Sequence, residues 1–209
     1  FAPSDEFEEK LTLKRSNAHE IVAEECKSIR EGVALLDITG FSRFEVKGEN
    51  AEAWLDKIFA TKLPKPGRAR LAVMLSPTGK LKGDLTLLNW GDGTFWIMGS
   101  YYLRAWHMRW FNDQIQDGVS VRDLGDDICG FALIGPNSHF ILQKVAEGDV
   151  SKMRFMDCKR LDIGLIQSHV ARMSVTGEMG FELNCKMGDH IALRRILLEA
   201  GNDHDIREV

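Results

Sequence analysis

No stretch of the chain approaches the ~18–20 consecutive apolar residues that a helix needs to cross a membrane, so no membrane association is expected. A cationic surplus is missing too: 27 Lys and Arg face 31 Asp and Glu, a formal charge of −4. Non-specific binding to nucleic acid draws on such a surplus, and no nucleic-acid partner is expected. Cysteine is scarce and scattered. Cys26, Cys129, Cys158 and Cys185 form no CxxC pair, and the histidines form no HExxH or other paired spacing, so no metal is expected. Cys129 and Cys185 stand in apolar stretches and read as small buried thiols in a reduced compartment. Glycine clusters at Gly91–Gly93 and Gly177–Gly180 do not fit G-x-G-x-x-G between a strand and a helix, so a flavin or nicotinamide would be bound elsewhere. No Ser-His-Asp or Cys-His nucleophile is identifiable from the order of residues. The chain opens on Phe1-Ala2-Pro3 without an initiator Met or a signal peptide and closes at Val209 without a stop signal. It is expected to be a piece of something longer.

What is present is ordinary for a globular protein, with 44% hydrophobic and 28% charged residues over 209 positions. Apolar spacing predicts helices at 17–30, 49–59, 103–115, 137–146 and 189–200. The first opens on Asn17 and Glu20, three apart like a capping box. The third would bury Trp106, Trp110 and Phe111 as a core face. Alternation and β-branched content predict strands at 41–47, 69–75, 81–89, 94–98, 129–134, 163–174 and 180–185. In the first of these Phe44 and Val46 oppose Arg43, Glu45 and Lys47. Hairpin turns at Ser76-Pro77-Thr78-Gly79 and Gly91-Asp92-Gly93 separate neighbouring strands. Hairpins interspersed with helices imply an α+β fold built on antiparallel sheets. The cationic 62–70 segment, with Lys62, Lys65, Arg68 and Arg70, reads as a solvated loop.

Two segments could carry chemistry. PTGKLKGDLT (77–86) is a turn feeding a strand, with Asp84 near the strand's start. RMSVTGEMGFEL (172–183) breaks at Thr176-Gly177-Glu178 and restarts with Glu182 between Phe181 and Leu183. Alternation puts Glu182 on the face opposite those neighbours. On periodicity alone both carboxylates read as solvated residues of polar faces.

In this order and spacing, the two segments resemble the aminomethyltransferase (glycine cleavage T-protein) family. Supporting resemblances are VALLDITGFSRFEVKG (33–48), the helix after it at 49–59, and the Leu133-Ile134-Gly135-Pro136 turn. Within the family the chain is most similar to the folate-binding C-terminal region of dimethylglycine and sarcosine dehydrogenases, whose flavin half would precede Phe1-Ala2-Pro3. The resemblance implies two antiparallel-sheet and helix lobes, one discontinuous (1–44 and 126–209) and one inserted (45–125), with the C-terminal part of the family fold absent. It also implies tetrahydrofolate as cofactor, with FAD only in a domain outside this chain, and an iminium or aminomethyl donor as the other small molecule. The function implied is one-carbon transfer forming 5,10-methylenetetrahydrofolate. The alternatives are a glycine cleavage aminomethyltransferase, a related folate-dependent demethylase, or a folate-binding module without catalysis. Asp84 matches the family's central catalytic carboxylate, and Glu182 the carboxylate that accepts the pterin's N–H donors. Phe155 matches an aromatic wall against the pterin, with a plain core Phe as the alternative. Val175 and Leu88 stand at folate-contacting positions where the family often has Tyr, and Gly83 replaces the first of two consecutive acids. The location implied is the bacterial cytoplasm or the mitochondrial matrix.

Overall fold

A computed structural model describes residue 4 and residues 6–209, so the Phe1-Ala2-Pro3 motif lies outside the described residues. Its elements run α1 (His19–Glu31), β1 (Ala34–Asp37), β2 (Ser42–Lys47), α2 (Ala51–Ile58), β3 (Arg68–Leu75), β4 (Leu81–Asn89), β5 (Phe95–Gly99), α3 (Arg104–Asp113), β6 (Ser120–Asp123), β7 (Ile128–Ile134), α4 (Ser138–Val145), β8 (Cys158–Ile163), β9 (Ile166–Ala171), β10 (Gly180–Lys186), α5 (His190–Gly201) and β11 (Arg207–Glu208). The mixed helix and sheet content is the α+β class expected. Asn17 does not cap α1. Its Oδ1 accepts the Lys10 N–H at 2.7 Å and its Nδ2 donates to the Glu8 carbonyl at 3.0 Å, so the amide ties the N-terminal segment down instead.

The strands form two sheets. The first has the order β11-β1-β7-β10-β9-β8 and the second β3-β4-β5-β2-β6. All pairings are antiparallel except that of β1 with the short β11, so the first sheet is mixed rather than purely antiparallel. One face of the first sheet is covered by Ile141 and Leu142 of α4 and by Leu193 and Leu197 of α5. One face of the second is covered by Trp54, Leu55 and Ile58 of α2 and by Phe111 of α3. The remaining faces meet each other: Ala69, Leu88, Trp96 and Met98 pack against Leu124, Cys158 and Ala171. Each sheet is thus apolar on both sides, and the molecule is layered helix, sheet, sheet, helix.

That inner contact corrects the reading of β2. Arg43, on the face opposite Phe44 and Val46, is fully buried together with Ser42. β2 lies inside its sheet between β5 and β6, and its supposed outer face looks onto the other sheet. Backbone hydrogen bonds also cross between the sheets. Ala69 N–H donates to the Met156 carbonyl at 2.7 Å and Cys158 N–H to the Gly67 carbonyl at 2.9 Å. Arg68 pairs with Asp157 alongside them, so this cation of the 62–70 segment is engaged by the opposite sheet while Lys62, Lys65 and Arg70 are exposed. In α3, Phe111 and His107 are buried and half-buried Trp110 packs against the same core, whereas Trp106 is exposed; the Lys82 ammonium lies 4.4 and 4.7 Å from the ring centres of Trp106 and Trp110. Of the expected three-ring core face, Phe111 and Trp110 pack on the core, and Trp106 stands outside it under a cation–π contact.

Candidate functional site

Where the two sheets diverge they leave a cleft of about 410 Å³. One wall comes from the second sheet: Leu71 of β3, Asp84, Leu85 and Thr86 of β4, and Met98 and Gly99 of β5. The other comes from Phe155, Met156, Met173, Ser174 and Val175, with Glu182 of β10 at its base and Phe41 closing one side. Asp84, Glu182, Phe155 and Val175, nearly 100 residues apart at the extremes, therefore line one cavity.

Leu88 does not. Alternation along β4 puts it on the same face as Asp84 and Thr86, but four residues farther along, where the sheets have closed together. There it is fully buried with Trp90, Trp96 and Met98. Gly83 faces away from the cleft. A Cβ at this position would meet His107 Nε2 at 3.0 Å and the Leu85 and Met74 side chains at 3.2 Å, so an acid there would enter the helix-covered core and not the cavity.

Phe155 is 64% exposed, which removes the plain core alternative, and Val175 is 69% exposed. Both stand at the rim. The next residue, Met156, holds the left-handed φ of 67°, which costs a non-glycine residue about 1–2 kcal/mol. Its N–H donates to the Arg172 carbonyl at 2.8 Å and its carbonyl accepts from Ala69. These bonds fix the turn that presents the Phe155 ring to the opening.

The two carboxylates occupy contrasting surroundings. Asp84 is exposed on the cavity wall. Glu182 is only 6% exposed, so the solvated reading of this residue does not hold. Burial pushes its carboxyl up to about 7, and the Arg43 charge opposes that rise only in part. No described residue donates a hydrogen bond to it or pairs with it, although it faces the cavity. A buried acceptor without a protein partner is costly unless something else supplies the donor.

Arg43 had no signal in the sequence beyond its place in an alternating strand. Its guanidinium is drawn down to about 10 by burial, opposed first by the charge of Glu182. Every nitrogen is engaged: Nε donates to Asn184 Oδ1 at 2.7 Å, Nη1 to the Thr39 and Phe41 carbonyls at 3.1 and 2.8 Å, and Nη2 to the Ile38 carbonyl at 2.9 Å. Asn184 sits two residues from Glu182 on the same strand face. Arg43 thus joins the turn that carries Phe41 to the strand that carries Glu182.

Comparison with known proteins places this arrangement among relatives. All 209 residues match the family described as the GCVT N-terminal domain. The chain is 28% identical over 211 residues to the mitochondrial dimethylglycine dehydrogenase of Homo sapiens, covering 99% of this chain and 24% of that protein. It is 29% identical over 188 residues to an aminomethyltransferase of Anoxybacillus flavithermus, covering 88% of this chain and 52% of that one. Among solved structures, the glycine cleavage system aminomethyltransferase T of Bartonella henselae superposes with a TM-score of 0.79 at 22% identity, over 90% of this chain and 50% of that one. A chain of the heterotetrameric sarcosine oxidase of Corynebacterium sp. U-96 superposes with 0.67 at 19% identity, over 95% and 100%. The chain therefore spans about a quarter of the dehydrogenase and about half of the aminomethyltransferases, and the two superpositions share its fold.

Proposed function

From a chain that belongs to the GCVT N-terminal domain family of aminomethyltransferases, we propose that the cleft binds tetrahydrofolate and hands it a one-carbon unit. The observation that carries the reading is Glu182: a buried carboxylate, aimed into a cavity, with no protein donor. A pterin offers adjacent ring N–H and exocyclic NH2 groups, which an ionised carboxylate accepts as a fork. Phe155, with Val175 beside it, offers an apolar rim of the kind a flat heterocycle packs against. Asp84 stands across the cavity as an exposed anion. It is suited to stabilise positive charge developing during transfer and to accept the proton released there. Tetrahydrofolate, when bound, supplies the amine nitrogens that take up the one-carbon unit. The contacting groups come from both sheets, Glu182 from the first and Asp84 from the second.

We assign the donor to an N-methyl amine oxidised by a flavin-binding domain of the same polypeptide, giving 5,10-methylenetetrahydrofolate in place of released formaldehyde. The alignment with dimethylglycine dehydrogenase favours this, since it runs along 99% of the chain against 88% for the aminomethyltransferase. A glycine cleavage aminomethyltransferase is the second reading, favoured by the 29% identity to the Anoxybacillus flavithermus aminomethyltransferase. Either would work in the bacterial cytoplasm or the mitochondrial matrix, and no helix among the described residues is long and apolar enough to cross a membrane.

The test is calorimetric titration of the chain with folinic acid, a stable reduced folate, with Glu182→Ala as control. Binding that the substitution weakens by tenfold or more supports the reading. Binding of equal strength in both proteins removes Glu182 from the site, and no heat at all with the native chain overturns folate as the ligand of this chain.

A further inference from the structure

The covered face of the first sheet holds two thiols that the proposed transfer does not use. Cys129 on β7 and Cys185 on β10 are directly opposed partners in the antiparallel register. Their Sγ atoms lie 3.4 Å apart, and both side chains are buried to within 1%. Directly opposed residues of an antiparallel pair have Cα atoms about 4.5–5.5 Å apart, inside the range of about 4.4–6.8 Å that disulfides span. The strands need not move for a bond to form. The sulfurs are in contact already, and rotation about the side-chain bonds closes the rest.

We propose that Cys129 and Cys185 are an oxidation site, a dithiol that hydrogen peroxide converts to a cross-strand disulfide. The pair is chemically asymmetric, as such a reaction requires. Cys129 is drawn down to about 7, first by its hydrogen bond with Cys185 and then by the nearby charges of His190 and Arg43, against the effect of burial. Cys185 is pushed up by the same hydrogen bond and by burial, with Asp189 adding to the rise. Cys129 is then the attacking thiolate and Cys185 the resolving thiol. His190, whose ring stacks on Phe131 and whose Nε2 bonds Asp37 at 2.9 Å, opens α5 beside this pair. The remaining buried thiol is a built-in contrast: Cys158 has no cysteine against it, and burial pushes it up to about 12.

The chemistry balances with the oxidant named. The Cys129 thiolate attacks one peroxide oxygen, the O–O bond breaks, and the departing hydroxide takes up a proton as water. Cys185 then attacks the sulfenic sulfur, the S–O bond breaks, and a second water leaves. Two thiols lose two electrons and two protons, and peroxide is reduced to two waters. Peroxide is small and uncharged, and its route is short. The Cys129–Cys185 pair is next to the last pair of its ladder, Ile128 with exposed Lys186, where local opening would admit peroxide. The bond would pin the strand that carries Glu182 and Asn184 to its neighbour. The inference does not depend on folate being the ligand.

The experiment treats the native chain with hydrogen peroxide, removes the excess with catalase, unfolds the chain in denaturant that already contains an alkylating agent, and maps peptides by mass spectrometry. The expected product has lost two hydrogens and yields one linked peptide pair containing Cys129 and Cys185, which dithiothreitol separates. Cys26→Ala keeps the exposed thiol from linking two copies. In Cys185→Ser, which keeps a hydrogen-bonding group beside Cys129, Cys129 is expected to accumulate as a sulfenic acid that dimedone traps; in Cys129→Ala, the linked peptide pair is expected to be absent. Should either variant fail to fold, the native peptide map still decides. Full alkylation of both cysteines after peroxide, or linkage through Cys158 instead, overturns the proposal.

Discussion

Replacing Glu182 with Gln isolates the cost of burying one carboxylate. The free chain holds this group at about 7 against an ordinary 4.5, so folding binds its proton more tightly than the unfolded state does. The associated stability is fully present below pH 4.5 and is lost as pH rises through about 7. At about 1.4 kcal/mol per pH unit of displacement, the native protein forfeits about 3 kcal/mol between pH 4.5 and pH 8. Glutamine keeps the shape without the charge. Glu182→Gln should therefore match the native chain near pH 4.5 and exceed its stability by about 3 kcal/mol at pH 8. Urea unfolding at both pH values, on both proteins, measures this as a difference of differences in which every other titrating group cancels. Parallel stability curves across the range would refute the reasoning, because they would mean that water already reaches the carboxylate. With folate the sign reverses: the fork needs the anion, so native affinity should fall up to tenfold per pH unit below about 7 while the Gln variant binds weakly throughout.

Arg43→Met should raise the Glu182 midpoint above 7 and strand Asn184 Oδ1 and three carbonyls, destabilising the fold by about 3–5 kcal/mol; thermal melts and the pH profile of folate binding read both effects. Arg43→Lys should keep the midpoint nearer the native value, and an unchanged profile in the Met variant would show that Arg43 does not act on Glu182. In an enzyme that contains the flavin domain, Asp84→Ala should release formaldehyde in place of methylenetetrahydrofolate while amine oxidation continues, and an undiminished folate product would remove Asp84 from the chemistry. Phe155→Ala should weaken folate binding while changing stability by less than about 0.5 kcal/mol, as expected for a rim residue; a larger loss in urea unfolding would return it to the core.

Helices were the most readable part of the chain. The apolar periods behind α2, α3, α4 and α5 predicted each within three residues at either end, because one face of each packs on a sheet. Strands β1, β6, β8 and β11 went unseen. The first is three apolar residues and an aspartate without alternation, while β6 and β8 are edge strands in which charges such as Arg122 and Lys159 interrupt the pattern. β11 is two residues long. Alternation misled at β2 and β10 for one reason. It locates two faces but cannot say that the more polar one meets another sheet, so Glu182 read as solvated when it is buried, and nothing in the pattern told that Arg43 is buried too. What singled out Asp84 and Glu182 was their likeness to family segments. Arg43 needed the third dimension, since its partners in the 38–41 turn and at Asn184 are joined only by folding.

The width of the cleft is held by main chain, not by the side chains that line it. Ala69 N–H to Met156 carbonyl, Cys158 N–H to Gly67 carbonyl and Met156 N–H to Arg172 carbonyl fasten the turn behind Phe155 to strands of both sheets. Peptide groups are the same whatever residue they belong to. Mutation can therefore exchange Phe155, Val175 or Leu71 at the rim for larger, smaller or more polar residues without altering the spacing of the walls. A lineage with this frame is free to try new small molecules at its opening, one substitution at a time, while the distance between its two carboxylates stays where it was.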